Sequence, residues 1–420
     1  MPPGWKPTTC SLGSQDDEAL AAAVTNLTAR CGLVVYTTVF YPGDPQRLPD
    51  PRSRLMFQGV EAFREQEQVV HAADGEKGER FLASTGVDGV PGDTCFLIVA
   101  GRSSAKALRQ YETFAPWMLL EVPEPSSRGV SKQRQTGGGV GPSGRRASRQ
   151  LKLLPHLFFR GPLTRFTIFM DWKLELQLDP RRILRAVAVR GAGFAALRHP
   201  CTTTYYEDST PVFVKRLCQP FQRAGPKLAW YREEADHVIQ NRATANVQAL
   251  KRQVARYTTS ATSGQLGDLY EFAEGALLIR DHEHPVGGSL NCAWWAEYTR
   301  EDSSDRDQLS LAYVLASRAS PTSTAYSTDG VVGSGGADPR LFAKSTERGG
   351  VFIISEGPTS GACKDLCHWY HGTPRSHSIG ALIPKQGNKR LPTRLCEKLW
   401  WCRDHGSTMQ SPLRKFPGVD

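Results

Sequence analysis

The stretch that decides the fold is FTIFMDWKLELQLDP, residues 166–180. Its first five residues are mostly apolar or β-branched, which predicts a buried strand, and Asp171 follows directly where that strand ends. Asp179 and Pro180 then have the pattern of a helix N-cap followed by a first-turn proline. A carboxylate between a strand and a helix lies where open α/β sheets bind their ligands.

Further elements lie on both sides of this stretch. Apolar runs predict strands at 31–41, 95–101, 117–122, 194–197 and 276–279, and after about residue 320 the first dependable element is the apolar run at 351–354. An apolar stripe at helical spacing follows Pro180, and residues 232–257 form a charged helical stretch. Strands that alternate with helices predict an α/β sheet with helices packed on it.

Length and composition set outer limits. The chain has 420 residues, 40% of them hydrophobic and 22% charged, which is enough for two or three domains or one large domain with insertions. No run of about 18 apolar residues occurs, so we expect no transmembrane helix in these residues. The first residues also lack an apolar core segment, so we expect no signal peptide there.

The net charge of +10 is concentrated in two segments. Residues 125–152 hold seven basic and no acidic residues, and residues 340–420 hold thirteen basic and six acidic ones. Together they carry fourteen positive charges in excess, so the rest of the chain has a net charge of −4. A nucleic-acid-binding fold carries its basic residues on a folded face, so we expect no nucleic-acid partner.

The ten cysteines leave two interpretations open. Cys363, Cys367, His368 and His371, with the later cysteines, could form a zinc site, although their spacing differs from the close pairs of structural zinc sites. Disulfides or free thiols are the alternative and account for the spacing better.

Asp171 and Lys173 are the first candidate site residues. Sugar-nucleotide transferases commonly place two acids at this point to hold a divalent cation, and here the second acid is replaced by Lys173. One carboxylate makes a poor site for a hard cation such as Mn²⁺, whereas a lysine can offset the charge of a diphosphate directly. We therefore expect weak manganese dependence at most. The alternative is that Asp171 caps a turn and Lys173 lies on the surface.

Three other groups carry candidate residues. Arg280 and His282 follow the predicted strand at 276–279, and Arg306, Asp307 and Gln308 stand at the predicted start of a helix. Trp294 lies in a tryptophan pair beside an acid, a combination that suits sugar stacking. Each group also has an ordinary structural explanation, namely a polar loop, a helix cap and a core tryptophan.

The order of these motifs resembles a known family. The motifs are KLLPH (152–156), TIFMDWKLEL (167–176), FAALRHP (194–200), EGALLIRDH (274–282), NCAWWAE (291–297) and RDQLS (306–310). They look like the plant and bacterial glycosyltransferase-like family that includes mucilage-related pectin galacturonosyltransferases and turgor-regulation-defect proteins. The strand VVYTTVF (34–40) is similar to the family's first strand.

The resemblance implies a GT-A-like mixed sheet with flanking helices, which transfers a sugar from a nucleotide-sugar donor to a cell-wall or surface glycan. It assigns the donor to Tyr36, Thr37, Asp171, Lys173 and Arg280. The acceptor and its sugar fall to His282, Trp294 and Gln308, with Asp307 and Asp171 as catalytic acids. Replacing Asp171 or Asp307 by alanine is then expected to abolish transfer without unfolding the protein.

The domain organisation follows from the same comparison. Residues 1–124 and 151–320 form the two halves of the transferase-like domain, residues 125–150 a disordered basic insertion and residues 321–420 an irregular tail. The resemblance also implies a Golgi location. Two alternatives remain open, an alkaline-ceramidase-like lipid amide hydrolase with a zinc site and a non-catalytic carbohydrate-binding relic.

Overall fold

The fold is that of a computed structural model. The residues that it describes are 8–40, 92–109, 117–122, 142–171, 174–176, 180–188, 192–198, 227–240, 244, 246–263, 273–318, 346–348, 351–354 and 367–369. Lys173 lies outside them, as do Cys363, His371 and the last fifty residues.

The centre of the molecule is a mixed sheet of eight strands in the order β3-β2-β1-β4-β7-β6-β9-β8. The strands are β1 (Cys31–Val39), β2 (Asp93–Gly101), β3 (Trp117–Val122), β4 (Phe166–Met170), β6 (Phe194–Arg198), β7 (Ala273–Asp281), β8 (Thr346–Arg348) and β9 (Val351–Ile354). Strands β1 to β4 are mutually parallel, whereas β7 runs antiparallel to both β4 and β6. A separate short ladder joins β5 (Leu174–Leu176) to β10 (Cys367–Trp369).

Helices cover both faces of the sheet. They are α1 (Gln15–Leu27), α2 (Arg102–Leu108), α3 (Pro142–Leu153), α4 (Pro155–Phe158), α5 (Pro180–Ala188), α6 (Lys227–Gln240), α7 (Val247–Thr262), α8 (Pro285–Tyr298) and α9 (Asp307–Arg318). Side chains at several helix starts satisfy free backbone donors; Ser14 caps α1 and Asn246 caps α7 in this way. None of the helices within the described ranges is long and apolar enough to cross a bilayer.

The buried strands divide their side chains between two cores. Val35 and Ile168 point to the face covered by α2 and α5, while Val34 and Phe169 point to the face covered by α1, α3, α4, α8 and α9. Because alternate residues of a strand face opposite sides, a sheet covered on both sides has unbroken apolar strands. The predicted α/β class, with a mixed sheet and flanking helices, is confirmed.

Two segments expected to be irregular contribute regular structure. Helix α3 begins at Pro142, inside the stretch that we expected to be disordered over 125–150, and the rest of that stretch lies outside the described residues. Strand β9 pairs with β6 from Phe194 to Leu197, so residues 351–354 of the expected irregular tail extend the main sheet. The apolar run at 351–354 was expected to be a regular element, whereas a helix that begins at Pro142 was not expected.

Two disulfides link distant parts of the described chain. Cys31 on β1 is bonded to Cys95 on β2, and Cys10 is bonded to Cys292 within α8. Gly92, just before β2, has a φ of 93°, and a Cβ there would lie 2.4 Å from the Arg30 carbonyl oxygen. Only glycine fits this approach, which brings β2 alongside β1.

Candidate active site

Asp171 lies at the edge of the sheet where the parallel strands β1 and β4 end. Its backbone N–H donates to the Ala276 carbonyl oxygen over 2.7 Å, which ties it to the first half of antiparallel β7. The residue is half-buried. The predicted position of an acid directly after β4 is thus observed.

Asp307 lies beside this edge as the first residue of α9. Its carboxylate accepts a hydrogen bond from Lys152 Nζ on one oxygen and pairs with Arg149 Nε at 2.8 Å on the other. Arg149 and Lys152 are three residues apart on α3, so they lie on the same helix face. We call Arg149, Lys152 and Asp307 the charged triad.

Trp294 and Gly275 lie close to the charged triad. Trp294 Nε1 donates to the Asp307 carbonyl oxygen over 2.9 Å, so the residue is held at its backbone as well as its side chain. A Cβ at Gly275 would lie 2.8 Å from Lys152 Nζ, which shows how closely β7 approaches the ammonium group. The absence of a side chain at 275 therefore matters to the site.

The loop before α9 is fixed by buried polar contacts. Gln253 Oε1 accepts from the Ser304 backbone N–H at 3.0 Å and from its hydroxyl at 2.7 Å. On the same helix, the Tyr257 hydroxyl donates to Glu297 Oε1 over 2.8 Å. These contacts hold residues 299–306 between α7 and α8, and so fix where α9 and Asp307 begin.

The triad keeps Asp307 ionised and leaves a positive surplus. Burial alone would raise the pKa of the Asp307 carboxyl, but the charges of Arg149, Lys152 and Arg306 hold that pKa well below its usual range. Burial lowers the pKa of Lys152, and its pairing with Asp307 opposes that shift. The charged triad itself holds two cations and one carboxylate, and this surplus of positive charge suits a phosphate-bearing ligand, while the carboxylates of Asp171 and Asp305 also act on Arg149.

Tyr36 and Arg280, expected to bind the donor, are buried beneath α3. Both are 0% exposed. The Tyr36 hydroxyl donates to the Leu151 carbonyl oxygen over 3.0 Å, and Arg280 Nη2 donates to the Lys152 carbonyl oxygen over 2.7 Å. Their polar atoms thus contact the backbone of the helix that carries the triad.

Thr37 and Trp294 are also inaccessible in this structure. Thr37 follows Tyr36 on β1 and therefore points to the opposite face of the sheet, where its hydroxyl is buried. The Trp294 indole is 0% exposed and has no face open for stacking on a sugar. Gln308, by contrast, is half-buried directly beside Asp307.

His282 lies at the other edge of the sheet. Because β7 is antiparallel to β4, Asp281 pairs with Phe166 at the start of β4, whereas Leu277 pairs with Met170 at its end. The six residues from Ala276 to Asp281 span roughly 17 Å of strand. His282 is therefore separated from Asp171 and does not join the charged triad.

The sequence interpretation missed Arg149 and Lys152 as site residues. Lys152 opens the KLLPH motif, and its spacing of three from Arg149 was the available signal. Arg149 lies in the basic segment that we assigned to an insertion. The spacing alone suggests a helix with both cations on one face. It does not predict their contact with Asp307, which lies more than 150 residues later in the chain.

His156 lies next to the disulfide between Cys10 and Cys292. Its Nε2 is 4.0 Å from Cys10 Sγ and 3.6 Å from Cys292 Sγ. Asn291 Oδ1 accepts from Arg280, so Asn291 Nδ2 is the donor to His156 Nδ1 at 3.3 Å, and Nε2 therefore carries the ring proton. With its sulfurs bonded together and Nε2 protonated, this trio does not fit a zinc ion.

A divalent cation also fits the described part of the edge poorly. Both oxygens of the Asp307 carboxylate are already paired with cations, so this buried acid has no oxygen left to bind a metal ion. Mn²⁺ and similar hard ions take several oxygen ligands. Arg149 and Lys152 supply positive charge at the place where a cation would otherwise be needed.

Comparisons with known proteins point to glycosyltransferases. No protein-family model matches the chain. A probable hexosyltransferase, MUCI70 of Arabidopsis thaliana, is 28% identical over 172 residues, which are 41% of this chain and 25% of the relative. The match thus spans about a quarter of that relative's length, and it supports a glycosyltransferase-like protein in general terms.

Solved structures with partial similarity include three glycosyltransferases. The bifunctional glycosyltransferase WbbM is 9% identical with a TM-score of 0.31, and covers 74% of this chain and 40% of its own. Mouse xyloside xylosyltransferase 1 is 10% identical with a TM-score of 0.26, over 67% of this chain and 80% of its own. Core-mannan synthase A of Aspergillus fumigatus, in a Mn/GDP form, is 12% identical with a TM-score of 0.27, over 75% and 77%. Scores of this size do not define a shared fold.

Proposed function

We propose that this protein is a glycosyltransferase that moves a sugar from a nucleotide-sugar donor to a glycan acceptor, such as a cell-wall or surface polysaccharide. The observation that carries the proposal is the charged triad beside Asp171 at the carboxyl edge of β1 and β4. The related hexosyltransferase and the GT-A-like order of the sequence motifs support it.

The donor diphosphate would be held by the cations of α3. The Arg149 side chain is 25% exposed and can reach a ligand at the edge, while Lys152, at 7%, supports it from inside. Lys173, two residues after Asp171, would add a third positive charge. Such groups stabilise the negative charge that develops on a departing diphosphate.

Asp171 and Asp307 would then have different tasks. In the transfer, the acceptor hydroxyl oxygen bonds to the anomeric carbon, the bond from that carbon to the diphosphate oxygen breaks, and a carboxylate takes the hydroxyl proton. Asp171 is half-buried and therefore the less buried of the two acids, and it is proposed for that contact. Asp307 has a depressed pKa and keeps Arg149 and Lys152 in place.

A non-catalytic sugar-binding protein is the second candidate. One observation favours it: Asp307 is 4% exposed and both of its oxygens are engaged by cations, so the residue expected to be catalytic does not face a ligand. Such a protein would bind a nucleotide sugar without turning it over.

The deciding experiment screens nucleotide sugars for thermal stabilisation of the protein and for slow donor hydrolysis. Asp171→Asn is expected to lower turnover by about 100-fold or more, because the proton acceptor is lost. Asp93→Asn is the matched control, since Asp93 is an exposed acid at the start of β2, at the opposite edge. Equal turnover in the two variants would remove Asp171 from the mechanism.

The same screen separates the alternatives. Stabilisation without hydrolysis or transfer would identify the sugar-binding candidate. Release of sphingosine from ceramide, with no response to any nucleotide sugar, would instead identify the lipid amide hydrolase. A chelator series on the active protein tests the expected weak manganese dependence.

The location of the protein is part of the proposal. Two disulfides among the described cysteines favour an oxidising compartment, because cytosolic thiols are kept reduced. This agrees with the Golgi location that the family resemblance implies. Fractionation of cells that express the chain, with a protease-protection assay, tests it.

A further inference from the structure

The carboxyl end of α3 is capped by side chains from the sheet. The last carbonyl groups of a helix have no partner within the helix. Here the Leu151 carbonyl oxygen accepts from the Tyr36 hydroxyl at 3.0 Å, and that of Lys152 accepts from Arg280 Nη2 at 2.7 Å. Two central strands, β1 and β7, therefore hold consecutive carbonyls of the helix that carries Arg149 and Lys152.

This contact helps to explain how Arg280 is buried with no carboxylate partner among the described residues. Arg280 is 0% exposed, and its hydrogen-bond acceptors are the Lys152 carbonyl oxygen and Asn291 Oδ1, both neutral groups. Its guanidinium also lies over the Phe194 ring at 5.3 Å. The negative end of the α3 dipole supplies the compensating charge, since a cation at a helix carboxyl terminus is stabilised.

The cap fixes the rotation of α3. Successive helix residues are turned by about 100°, so a small rotation of α3 would carry both Arg149 and Lys152 away from Asp307. Asn291 orients Arg280 from the other side over 2.8 Å and is itself hydrogen-bonded to His156. The charged triad is thus positioned by a buried chain of contacts that starts in the core.

We propose that Arg280, assisted by Tyr36, is a positioning residue for the transfer reaction: it does not contact the donor but fixes α3 so that Arg149 and Lys152 bracket Asp307. The proposal rests on the proposed function in one respect, that the charged triad serves sugar transfer. The position of the triad itself can be tested without any activity.

The first test measures the Lys152 ammonium group by NMR in protein labelled with ¹⁵N-lysine, with Lys152→Arg to assign the signal. Arg280→Lys and Tyr36→Phe are expected to shift or broaden this signal, because each removes one capping bond. Leu184→Ala, which leaves a cavity in α5 on the opposite face of the sheet, is the control for general destabilisation and should leave the signal in place. An unchanged signal in both capping variants would overturn the proposal.

The second test is a double-mutant cycle on turnover. Arg280→Lys is expected to lower kcat about 10- to 100-fold and to raise the donor KM, because misplaced Arg149 and Lys152 would also hold the donor diphosphate less well. In an Asp307→Asn background the same change should have almost no further effect, whereas a merely structural role would add to the loss. Additive effects would overturn the proposal, while no turnover in any protein, together with a shifted Lys152 signal, would refute only the proposed function.

Discussion

At the scale of single residues, Asp307 shows why burial changes what a substitution does. The sequence suggested an acid at a helix start that could be replaced without unfolding the protein. The structure instead places it 4% exposed between Arg149 and Lys152. Removing one member of a buried ion pair leaves the others uncompensated, so the effect on stability is large.

Asp307→Asn is therefore expected to lower the free energy of unfolding by about 3–5 kcal/mol. The double variant Asp307→Leu with Lys152→Met should lose much less, because both buried charges are gone and the space is filled by apolar atoms. Urea unfolding of the wild type, of each single variant and of the double variant measures these free energies of unfolding. A double variant less stable than either single would contradict the expectation.

Two half-buried histidines, His156 and His282, make stability depend on pH. Burial, with the charges of His156 and Arg280, lowers the pKa of His282 to about 3, and burial with the charges of Arg280 and Arg160 lowers that of His156 to about 4. Below about pH 6.5 the unfolded chain binds protons that the folded protein does not. Stability is therefore fully present above pH 6.5 and is lost as the pH falls towards these values.

His282→Phe is expected to flatten this loss. Neither His282 ring nitrogen has a partner among the described residues, so the phenylalanine gives up no hydrogen bond and cannot be protonated. Between pH 6.5 and 4.5 the wild type should lose about 2–3 kcal/mol more than the variant. Urea unfolding at four pH values measures the slopes. If the stability of both proteins falls equally with pH, His282 does not cause the loss of stability at acid pH.

At the scale of elements, the sequence predicted where strands lie better than which way they run. The apolar run at 276–279 predicted a strand within β7, but periodicity does not give direction. Since β7 is antiparallel, the residues after it lie at the edge opposite Asp171, which separates His282 from the site. Helix α3 was missed because its amino-terminal half lacks apolar residues and its caps, Tyr36 and Arg280, are distant in sequence.

Strands β8 and β9 bring residues 346–348 and 351–354 into the main sheet. A chain ending at residue 320 should unfold at a temperature about 5–10 °C lower than one ending at residue 372, which keeps both strands. Without β9, the edge of β6 loses its parallel partner and Val351, 1% exposed, leaves the core. Thermal unfolding of the two proteins measures the difference. Equal midpoints would show that strands β8 and β9 do not contribute to the stability of the sheet.

At the scale of the whole molecule, the sequence predicted features that depend on local pattern but not those that depend on contacts between distant residues. The α/β class and most strands followed from apolar runs and turn residues, because these depend on neighbours in the chain. The charged triad could not be derived, since it joins α3 to α9 across 155 residues. The net charge of +10 was also a poor guide to the site, because the charged triad carries a small positive surplus while the chain outside residues 125–152 and 340–420 has a net charge of −4.

The two disulfides give the last prediction, on global stability. Each closes a loop in the unfolded chain, of 282 residues for Cys10 and Cys292 and of 64 residues for Cys31 and Cys95. One double variant, Cys10→Ser with Cys292→Ser, removes the first disulfide, and another, Cys31→Ala with Cys95→Ala, removes the second. Each is expected to lower the free energy of unfolding by about 2–5 kcal/mol. The longer loop should cost about 1 kcal/mol more, because closure entropy grows with the logarithm of length. Urea unfolding under non-reducing conditions measures both, after peptide mass spectrometry has located the bonds, and a larger cost for the shorter loop would contradict the entropic account.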